Sequence, residues 1–247
     1  MVNNMKKQLS ILALLCLVAI SVSGRDIFPT VSWDSGDCTL ALYDDGYLEV
    51  YGFDDMRMDD YASDTDCPWH SSRGEIKEIY IKGTVANIGA NAFNGCTQLT
   101  TVTVGNIVTS IGADAFIACS GLSSVTVGSS VTSIGSYAFS WCSGLTSVTC
   151  LAENIPYTDI STFDNVPQST ATLYVPETSV KAYKTANHWK KFGNIVGVDP
   201  TTVEELKSDK DALLNENAPI FDLMGRRLQQ KPACGYYIQG GKKYFVK

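Results

Sequence analysis

Apolar and polar residues alternate over short segments of this chain, and the alternation recurs at a fixed interval. The clearest 23-residue unit, LSSVTVGSSVTSIGSYAFSWCSG, spans positions 122–144. It matches positions 99–121 at 15 of 23 sites without a gap, and positions 76–98 keep the same apolar frame. Such a fixed period predicts a solenoid, because one unit cannot bury its apolar face alone and must stack on its neighbours.

Each unit begins with a predicted strand. Val125 and Val127 alternate with Ser124 and Thr126. A period of two is typical of a half-buried strand, so we expect one apolar face and one polar face.

The rest of the unit predicts a second extended segment and then a turn. In this prediction Val131 and Ile134 point inward, and Gly135 ends the segment. The apolar positions that follow have near-helical spacing and predict one helical turn: Ala138, Phe139 and Cys142.

Three segments of the units share one motif: ANIGANAFNGC, VTSIGADAFIAC and VTSIGSYAFSWC. They resemble the repeat of the BspA-type leucine-rich repeat proteins of bacterial cell surfaces, which has a short strand, a V-T-S-I-G turn and A-F-x-x-C before the next Leu. The resemblance implies a leucine-rich-repeat fold and adhesion to host proteins or to other cells.

Capping elements are predicted at both ends of the units. Leu40 and Leu42 alternate before an Asp-Asp-Gly turn, and Leu48 and Val50 alternate after it, which predicts a β-hairpin covering the open first coil. After the units, ATLYVP predicts a last strand. Apolar residues three apart then predict a short closing helix: Val180, Tyr183, Ala186, Trp189 and Phe192.

The whole pattern predicts a mainly β chain built on a short leucine-rich-repeat solenoid. We expect a signal peptide at residues 1–24, an acidic β-hairpin N-terminal cap at 25–75, and the solenoid with its C-terminal cap at 76–198. A polar linker at 199–219 and a small separate β tail at 220–247 complete the prediction.

The first residues have the pattern of an export signal. Lys6 and Lys7 precede an apolar run at residues 9–20, and small residues follow it. The run is too short for a membrane span. We therefore expect a secreted or cell-surface bacterial protein without a transmembrane helix in the mature chain.

The tail has short apolar segments separated by glycines, which predict strands at 220–223, 226–228, 236–239 and 243–246. Its D-x-x-G-R-R-x and G-x-Y-I-x … G-K-K patterns resemble the C-terminal sorting segment of type IX secretion. The resemblance implies that the tail takes part in sorting the protein.

Three cysteines recur with the repeat: Cys96, Cys119 and Cys142. In register they stack at the strand spacing of about 4.8 Å. A straight row of thiols makes a poor tetrahedral zinc site, and no His shares the period. The pattern predicts three reduced, buried cysteines and no metal site.

Other cysteines are available for disulfides in an exported chain: Cys38, Cys67, Cys150 and Cys234. Cys38 and Cys67 lie on either side of the hairpin, so a bond between them would tie the cap to the first repeat. The spacing alone leaves the pairing open.

Charge narrows the possible partners. The formal net charge of −7 argues against a nucleic-acid partner. Eleven Asp and one Glu lie between residues 26 and 66, against the single Arg57. Calcium prefers such oxygen ligands, but no D-x-D-x-D-G loop is present, so the pattern favours turn chemistry and a solvated acidic face.

No set of residues predicts catalysis. The two histidines, His70 and His188, lie near no nucleophile or metal-ligand motif, and no phosphate loop or dinucleotide fingerprint is present. We therefore expect no catalytic residue and no cofactor. The enzymatic alternative is a secreted hydrolase that uses Asp residues of the acidic cap.

The polar strand positions predict a binding surface. They form two rows across the stacked units, with eight candidate binding residues: Glu78, Tyr80, Thr101, Thr103, Ser124, Thr126, Ser147 and Thr149. A regular solenoid sheet offers an extended surface, so we predict non-enzymatic binding of an extracellular protein or glycan. Two alternatives stay open: these are ordinary solvent-facing strand residues, or the array is a structural spacer.

The size of this surface follows from the number of strands. One strand per unit, a decayed fourth unit and the last strand give about five strands, or roughly 24 Å of sheet. Tyr80 is the only aromatic residue expected on the face.

Overall fold

The computed structural model describes residues 29–52, 56–82 and 85–199, and the backbone of four short strands in the tail. Pro29–Pro200 form one compact unit, and the tail strands belong to a second. The predicted signal peptide and all of the predicted linker except Asp199 lie outside the described residues. None of the helices in the described segments is long and apolar enough to cross a membrane.

The described residues of the first unit contain 13 strands. In chain order they are β1 (Val31–Ser35), β2 (Cys38–Leu42), β3 (Tyr47–Tyr51), β4 (Met56–Arg57), β5 (Glu78–Ile81), β6 (Val85–Ile88), β7 (Thr101–Val104), β8 (Ser110–Ile111), β9 (Ser124–Val127), β10 (Ser133–Ile134), β11 (Ser147–Cys150), β12 (Thr172–Pro176) and β13 (Asn194–Val198).

Nine of these strands form one sheet in the order β1-β2-β3-β5-β7-β9-β11-β12-β13. The first three are antiparallel neighbours, and every pair from β3 onwards is parallel. A smaller parallel sheet has the order β10-β8-β6-β4. The chain therefore winds through a leucine-rich-repeat solenoid, and the predicted fold class is confirmed.

The five predicted strands are present as β5, β7, β9, β11 and β12, but the sheet continues beyond them at both ends. The predicted hairpin is present as β2 and β3, but β3 pairs directly with β5, so the hairpin is part of the sheet. Two strands that the sequence pattern missed, β1 and β13, pair with β2 and β12. Counted in the same way, nine strands give about 43 Å of sheet, compared with the roughly 24 Å expected.

The alternating pattern of each unit places one face of its strand in the core. In β9, Val125 and Val127 are buried, whereas Ser124 and Thr126 are only half-buried. Val131 and Ile134 are buried as predicted, and β10 contributes Ile134 to the smaller sheet.

One phenylalanine per turn forms a stack along the array. The ring centroids of Phe93 and Phe116 are 5.3 Å apart, those of Phe116 and Phe139 are 5.3 Å apart, and those of Phe139 and Phe163 are 5.7 Å apart. Trp69 meets Phe93 at one end, and Trp189 meets Phe163 at the other. The recurring A-F of the motif thus supplies a continuous aromatic column, which a single turn could not form.

The helical turn predicted at Ala138, Phe139 and Cys142 is wrong: the segment forms successive tight turns. Tyr137 and Trp141 have φ of 56° and 60°, in the left-handed region. The amide of Phe139 donates to the carbonyl of Thr162 in the next turn, at 3.0 Å. The backbone therefore bonds between turns of the solenoid, and a helix would need those same amides internally.

Backbone and hydroxyl contacts fix the 23-residue period. The hydroxyls of Thr100, Ser123 and Thr146, which precede the strands, each donate to a carbonyl 23 residues earlier, at 3.0, 3.0 and 3.2 Å. Gly135 lies so close to the preceding turn that a Cβ there would be 2.5 Å from the amide nitrogen of Ala113. Neighbouring turns are therefore held in register at a separation that excludes a side chain at this position.

The three repeat cysteines are buried and free, as predicted. The thiols of Cys119 and Cys142 donate to the carbonyls of Phe93 and Phe116, at 3.1 and 3.2 Å. Burial raises the pKa of Cys142 to about 12 and that of Cys119 well above its ordinary value. These thiols are hydrogen-bond donors in the core.

Cys38, Cys67 and Cys150 are also buried and free, so Cys38 and Cys67 do not form the bond that the sequence left open. Burial raises the pKa of both Cys38 and Cys67 to about 12. Cys234 lies outside the described residues.

The predicted closing helix is present but shorter than the pattern suggested. Helix α1 covers Val180–Tyr183, and short 3-10 turns lie at Glu177–Ser179 and Trp189–Lys191. Tyr183 is buried, and its hydroxyl donates to the carbonyl of Ala152 at 2.8 Å. His188, with φ of 67°, interrupts the helical path.

The tail strands form a separate antiparallel sheet close to the predicted positions. They are β14 (Ile220–Phe221), β15 (Arg227–Leu228), β16 (Gly235–Gln239) and β17 (Lys242–Val246), in the order β15-β14-β16-β17.

Candidate binding surfaces

The strand face is the polar side of the nine-stranded sheet, and all eight predicted binding residues lie on it. They stand in the two predicted rows: Glu78, Thr101, Ser124 and Ser147 in one, and Tyr80, Thr103, Thr126 and Thr149 in the other. All eight are half-buried, and they alternate with buried residues. The rows were predictable because the pleat has a period of two and the units share one register.

The hydroxyls of this face differ from those that hold the array together. The hydroxyls that donate to the preceding turn belong to Thr100, Ser123 and Thr146, just before each strand. The predicted binding residues lie within the strands, with their side chains on the surface of the sheet. Ser and Thr thus have two different roles in the same unit.

The N-terminal end of the strand face carries charged and aromatic groups. The rows continue from β5 onto β3, where Tyr47 pairs with Glu78 and Glu49 pairs with Tyr80. Lys82 forms an ion pair with Glu49, with Nζ 2.9 Å from Oε1.

Tyr51 completes this charged and aromatic end. The ammonium group of Lys82 lies 5.8 Å from the centroid of the Tyr51 ring. Burial and then the Glu49 carboxylate raise the pKa of Tyr51, so its phenol stays neutral at physiological pH.

The expectation that Tyr80 is the only aromatic residue on this face is wrong. Tyr47 and Tyr51 of β3 share the face, and Tyr174 of β12 pairs with Thr149 at the other end. The alternation in ATLYVP indicates that Tyr174 lies on the other face of the sheet from Leu173 and Val175, which are buried. The sequence pattern does not predict the tyrosines of β3 on this face, because it predicts a hairpin that covers the end of the sheet, whereas β3 joins the sheet.

A second surface lies where the units turn after their second strand. We call the segments 90–95, 113–118, 136–141 and 158–165 the turn side. Each turn has left-handed positions: Asn91, Asp114 and Tyr137 occupy the same place in successive units with φ of 56°, and Ala118 and Trp141 recur likewise. Asn and Asp suit this backbone, whereas a bulky side chain held there costs of order 1–3 kcal/mol.

The turn side carries exposed aromatic residues at its C-terminal end. Trp141 is 58% exposed and Tyr137 is 45% exposed, and Tyr157 and Ile160 of the next turn are still more exposed. The sequence signal was the replacement of ADAFIA in one unit by SYAFSW in the next. The left-handed backbone could not be predicted from this replacement, because Tyr and Trp are not residue types typical of that conformation.

Two acidic residues of the next turn are hydrogen-bonded to residues at or next to these aromatics. The Ser136 hydroxyl donates to Asp159, and the amide of Trp141 donates to the carbonyl of Asp164 at 2.9 Å. Hydrogen bonds from the Ser136 and Ser161 hydroxyls lower the pKa of Asp159 to about 2. Asp159 is therefore a fixed negative charge next to Tyr137 at any physiological pH.

The acidic cap uses several carboxylates as acceptors for the backbone. Asp59 accepts from the amide of Gly36 and Asp60 from that of Ala90, each at 2.7 Å. Asp64 forms an ion pair with Arg73. Among the described residues, no three His, Cys, Asp or Glu side chains are grouped as metal ligands; Asp54 and Asp55 lie outside these residues.

The two histidines make local contacts. Nδ1 of His70 lies 3.0 Å from the carbonyl of Asp64, and Nδ1 of His188 lies 3.0 Å from the carbonyl of Thr158. Each ring therefore faces a backbone carbonyl.

The stacked turns, the parallel strand face and the aromatic column define a leucine-rich-repeat protein. Residues 70–188 match the family model of the BspA type leucine-rich repeat region, in six copies. This part of the chain is therefore similar to the BspA-type leucine-rich repeat regions, as the motif suggested. No curated protein matches the sequence.

Similar solved structures include a leucine-rich repeat protein from Eubacterium ventriosum, with 24% identity, a TM-score of 0.47, and coverage of 61% of this chain and 45% of that one. The T. pallidum leucine-rich repeat protein has 16% identity, a TM-score of 0.42, and coverage of 69% and 84%. A leucine rich cell surface protein from Faecalibacterium prausnitzii has 20% identity, a TM-score of 0.29, and coverage of 61% and 50%. The matched region thus spans about half the length of the first and third proteins.

Proposed function

We propose that this chain is a non-enzymatic binding protein of the bacterial cell surface, and that its strand face contacts an extracellular protein. The observation that carries the proposal is the unbroken strand face, on which eight predicted residues and further tyrosines form continuous rows. A solenoid sheet of this kind presents an extended surface to a partner.

The composition of the face favours a protein over a glycan as its partner. Tyrosines lie towards both ends of the face, and tyrosine is enriched among the residues that dominate protein interfaces. Glu49 and Lys82 add a fixed pair of opposite charges that orients a partner.

The area of the face indicates weak binding at a single site. Nine strands of four to five residues cover roughly 600 Å². A standard stable interface covers roughly 800 Å² on each partner. Attachment would therefore depend on many copies of the protein on one surface, each contributing a weak contact.

The test is attachment of the full chain to immobilised extracellular-matrix proteins and to a glycan array, compared with variants of the face. Thr126→Arg places a long charged side chain in the middle of one row, and Tyr80→Ala removes an aromatic group. Each should weaken attachment to a matrix protein several-fold without changing the unfolding transition. Lys181→Ala, an exposed change in α1, is the matched control and should have no effect.

Wild-type attachment by both face variants would contradict the proposal and move the site elsewhere, with Asp54, Asp55, Asp59 and Asp60 of the acidic cap as the next candidates. Attachment to glycans alone would contradict the choice of partner. Turnover in a hydrolase screen, lost on changing one Asp of the cap, would favour the enzymatic alternative.

A further inference from the structure

Two aromatic residues of the turn side occupy positions that their backbone does not favour. Tyr137 stands where the two preceding turns have Asn91 and Asp114, and Trp141 stands where the preceding turn has Ala118. Gly95 holds the corresponding place one turn earlier, also at positive φ. The array therefore accommodates small or turn-forming residues at both positions, and its stability does not require an aromatic ring at either.

The rings are presented to solvent. Trp141 is 58% exposed, in contrast to the buried Trp69 and Trp189 at the two ends of the aromatic column. Because Tyr137 and Trp141 are four residues apart, their Cα atoms are at most about 14 Å from each other. One short extended peptide can contact both.

The stretch of chain that contains these rings carries charge of one sign. The stretch from residue 83 to residue 180 contains no Lys, Arg or His, and it contains five carboxylates. Two of these acidic residues belong to the adjoining turn: Asp159 accepts from the hydroxyl of Ser136, which precedes Tyr137, and the backbone carbonyl of Asp164 accepts from the amide of Trp141. The turn side around the two exposed rings therefore carries acidic side chains, and the stretch from residue 83 to residue 180 contributes no cation.

We infer that the turn side around Trp141 and Tyr137 is a second binding site, which takes a basic polypeptide segment by seating Lys or Arg side chains on the two rings. Trp is the strongest aromatic partner of a cation, and the flanking carboxylates add attraction of the same sign. This site is separate from the strand face and does not depend on the function proposed for that face.

The hydrogen bonds of Asp159 favour a cation over a neutral sugar. Its Oδ1 already accepts from the amides and hydroxyls of Ser161 and Thr162, and its Oδ2 accepts from Ser136. The carboxylate thus offers its charge, while Oδ1 is fully engaged by the chain and only Oδ2 keeps an acceptor position. A pair of sugar hydroxyls could not bind both oxygens of this carboxylate, whereas an ammonium or guanidinium group is attracted by the charge itself.

The test measures binding of the full chain to a fluorescent decapeptide of alternating Lys and Ser. The same peptide with Arg, with acetylated Lys and with Glu in place of Lys completes the set. The Lys and Arg peptides should bind, and the acetylated and Glu peptides should not. Trp141→Asn should weaken binding of the Lys peptide about three- to five-fold, and the variant that also carries Tyr137→Asn should weaken it about tenfold.

Two matched variants separate the ring from the backbone and from the other surface. Ala118→Asn makes the same new residue at the equivalent left-handed position of the preceding turn, and it should leave the affinity unchanged. Tyr174→Ser removes an aromatic residue from the strand face and should also leave it unchanged. Bound Lys peptide should protect Trp141 from acrylamide quenching, a signal that a purely structural role would not produce.

Equal binding of the Lys peptide by wild type and Trp141→Asn would overturn the inference, since the attraction would then be general charge. Absence of binding by the wild type would overturn it too. If a neutral oligosaccharide binds and its binding is lost with Trp141→Asn while the Lys peptide is ignored, the site belongs to a glycan and the proposed partner is wrong.

Discussion

The strand face and the turn side are built from the same repeat but differ in how they vary along it. On the strand face, the three middle strands β7, β9 and β11 present Ser or Thr at the same two positions, and the backbone there is ordinary β structure. On the turn side, equivalent positions pass from Asn91 and Asp114 to Tyr137. The strand face is therefore uniform along its middle, whereas the turn side changes sharply within one unit.

This difference shows at which positions the residue type can vary from one unit to the next. A strand residue is held between two neighbours in register, so the residue types that suit one strand suit the next. The side chain of an exposed turn residue is constrained mainly by the backbone conformation at its own position. Tyr137 and Trp141 are residue types that this left-handed conformation does not favour. Locally unfavourable residues that persist in an otherwise consistent pattern are a sign of function.

The largest effect should come from the column that supports both surfaces. Phe116→Ala removes the middle of the aromatic stack and should lower the free energy of unfolding by about 3–5 kcal/mol. Chemical denaturation measures this loss. Ile107→Ala, a change at a partly exposed position, should cost much less. If Phe116→Ala were equally mild, the two surfaces would not share one core.

A smaller loss should follow from separating the turns at the start of the turn side. In Gly135→Ala the new Cβ would lie 2.5 Å from the amide nitrogen of Ala113, so the turns must move apart, at about 1–3 kcal/mol. Gly74→Ala is the matched control, because no atom lies within 4 Å of a Cβ there. Equal stability of the two variants would show that the turns are not in close contact.

The comparison itself is tested by placing the same residue on both surfaces. Ala118→Asn relieves a left-handed backbone position and should raise the free energy of unfolding by about 0.5–1 kcal/mol. Thr126→Asn puts a poor strand former in the middle of the sheet and should lower it by up to about 1 kcal/mol. Thermal or chemical unfolding measures the change in stability of each variant. Changes of the same sign would show that the two surfaces do not differ in the residues they favour.

Trp141→Asn should change the stability little. Relief of the left-handed backbone, worth about 1–3 kcal/mol, opposes the loss of the covered part of the indole, worth about 2 kcal/mol. We expect a net change within about 1 kcal/mol in chemical denaturation. A loss as large as that of Phe116→Ala would mean that Trp141 is a core residue.

The smallest effect is expected from the tail. Removal of residues 199–247 should leave the thermal transition of the solenoid nearly unchanged, because we predict that the tail folds apart from the array. A large drop in the transition temperature would contradict this and would make the tail a support for one of the two surfaces.

Much of the strand face could be predicted from the sequence, because its cause is local and repeated. The alternation of Val125 and Val127 with polar residues set the faces, and the constant repeat length aligned Thr103 with Thr126. β1 and β13 were missed because they lie outside the period and are recruited by pairing with distant neighbours.

The backbone of the turn side could not be predicted from the sequence pattern, for a different reason. The spacing of Ala138 and Phe139 before Cys142 suits a helix, but the amides of this segment bond to the next turn of the solenoid. That choice depends on residues of the following turn, such as Thr162, which are distant in the sequence. The periodicity within one unit therefore predicts which residues are buried. It does not predict the backbone conformation of the segment that carries them.

The aromatic column also shows how such an array can grow in length without losing its core. Phe139 follows Phe116 by one repeat length, whereas Phe163 follows Phe139 by one position more, and the centroid distances remain 5.3 and 5.7 Å. The extra residue falls between Cys150, which pairs with Val127 23 positions earlier, and Tyr157, which pairs with Ser133 24 positions earlier. This segment contains the exposed residues Glu153 and Asn154, so the chain accommodates the insertion at the surface while the aromatic column stays closed. Loops added at this point, by mutation or by design, would lengthen one turn of the protein without disturbing its neighbours.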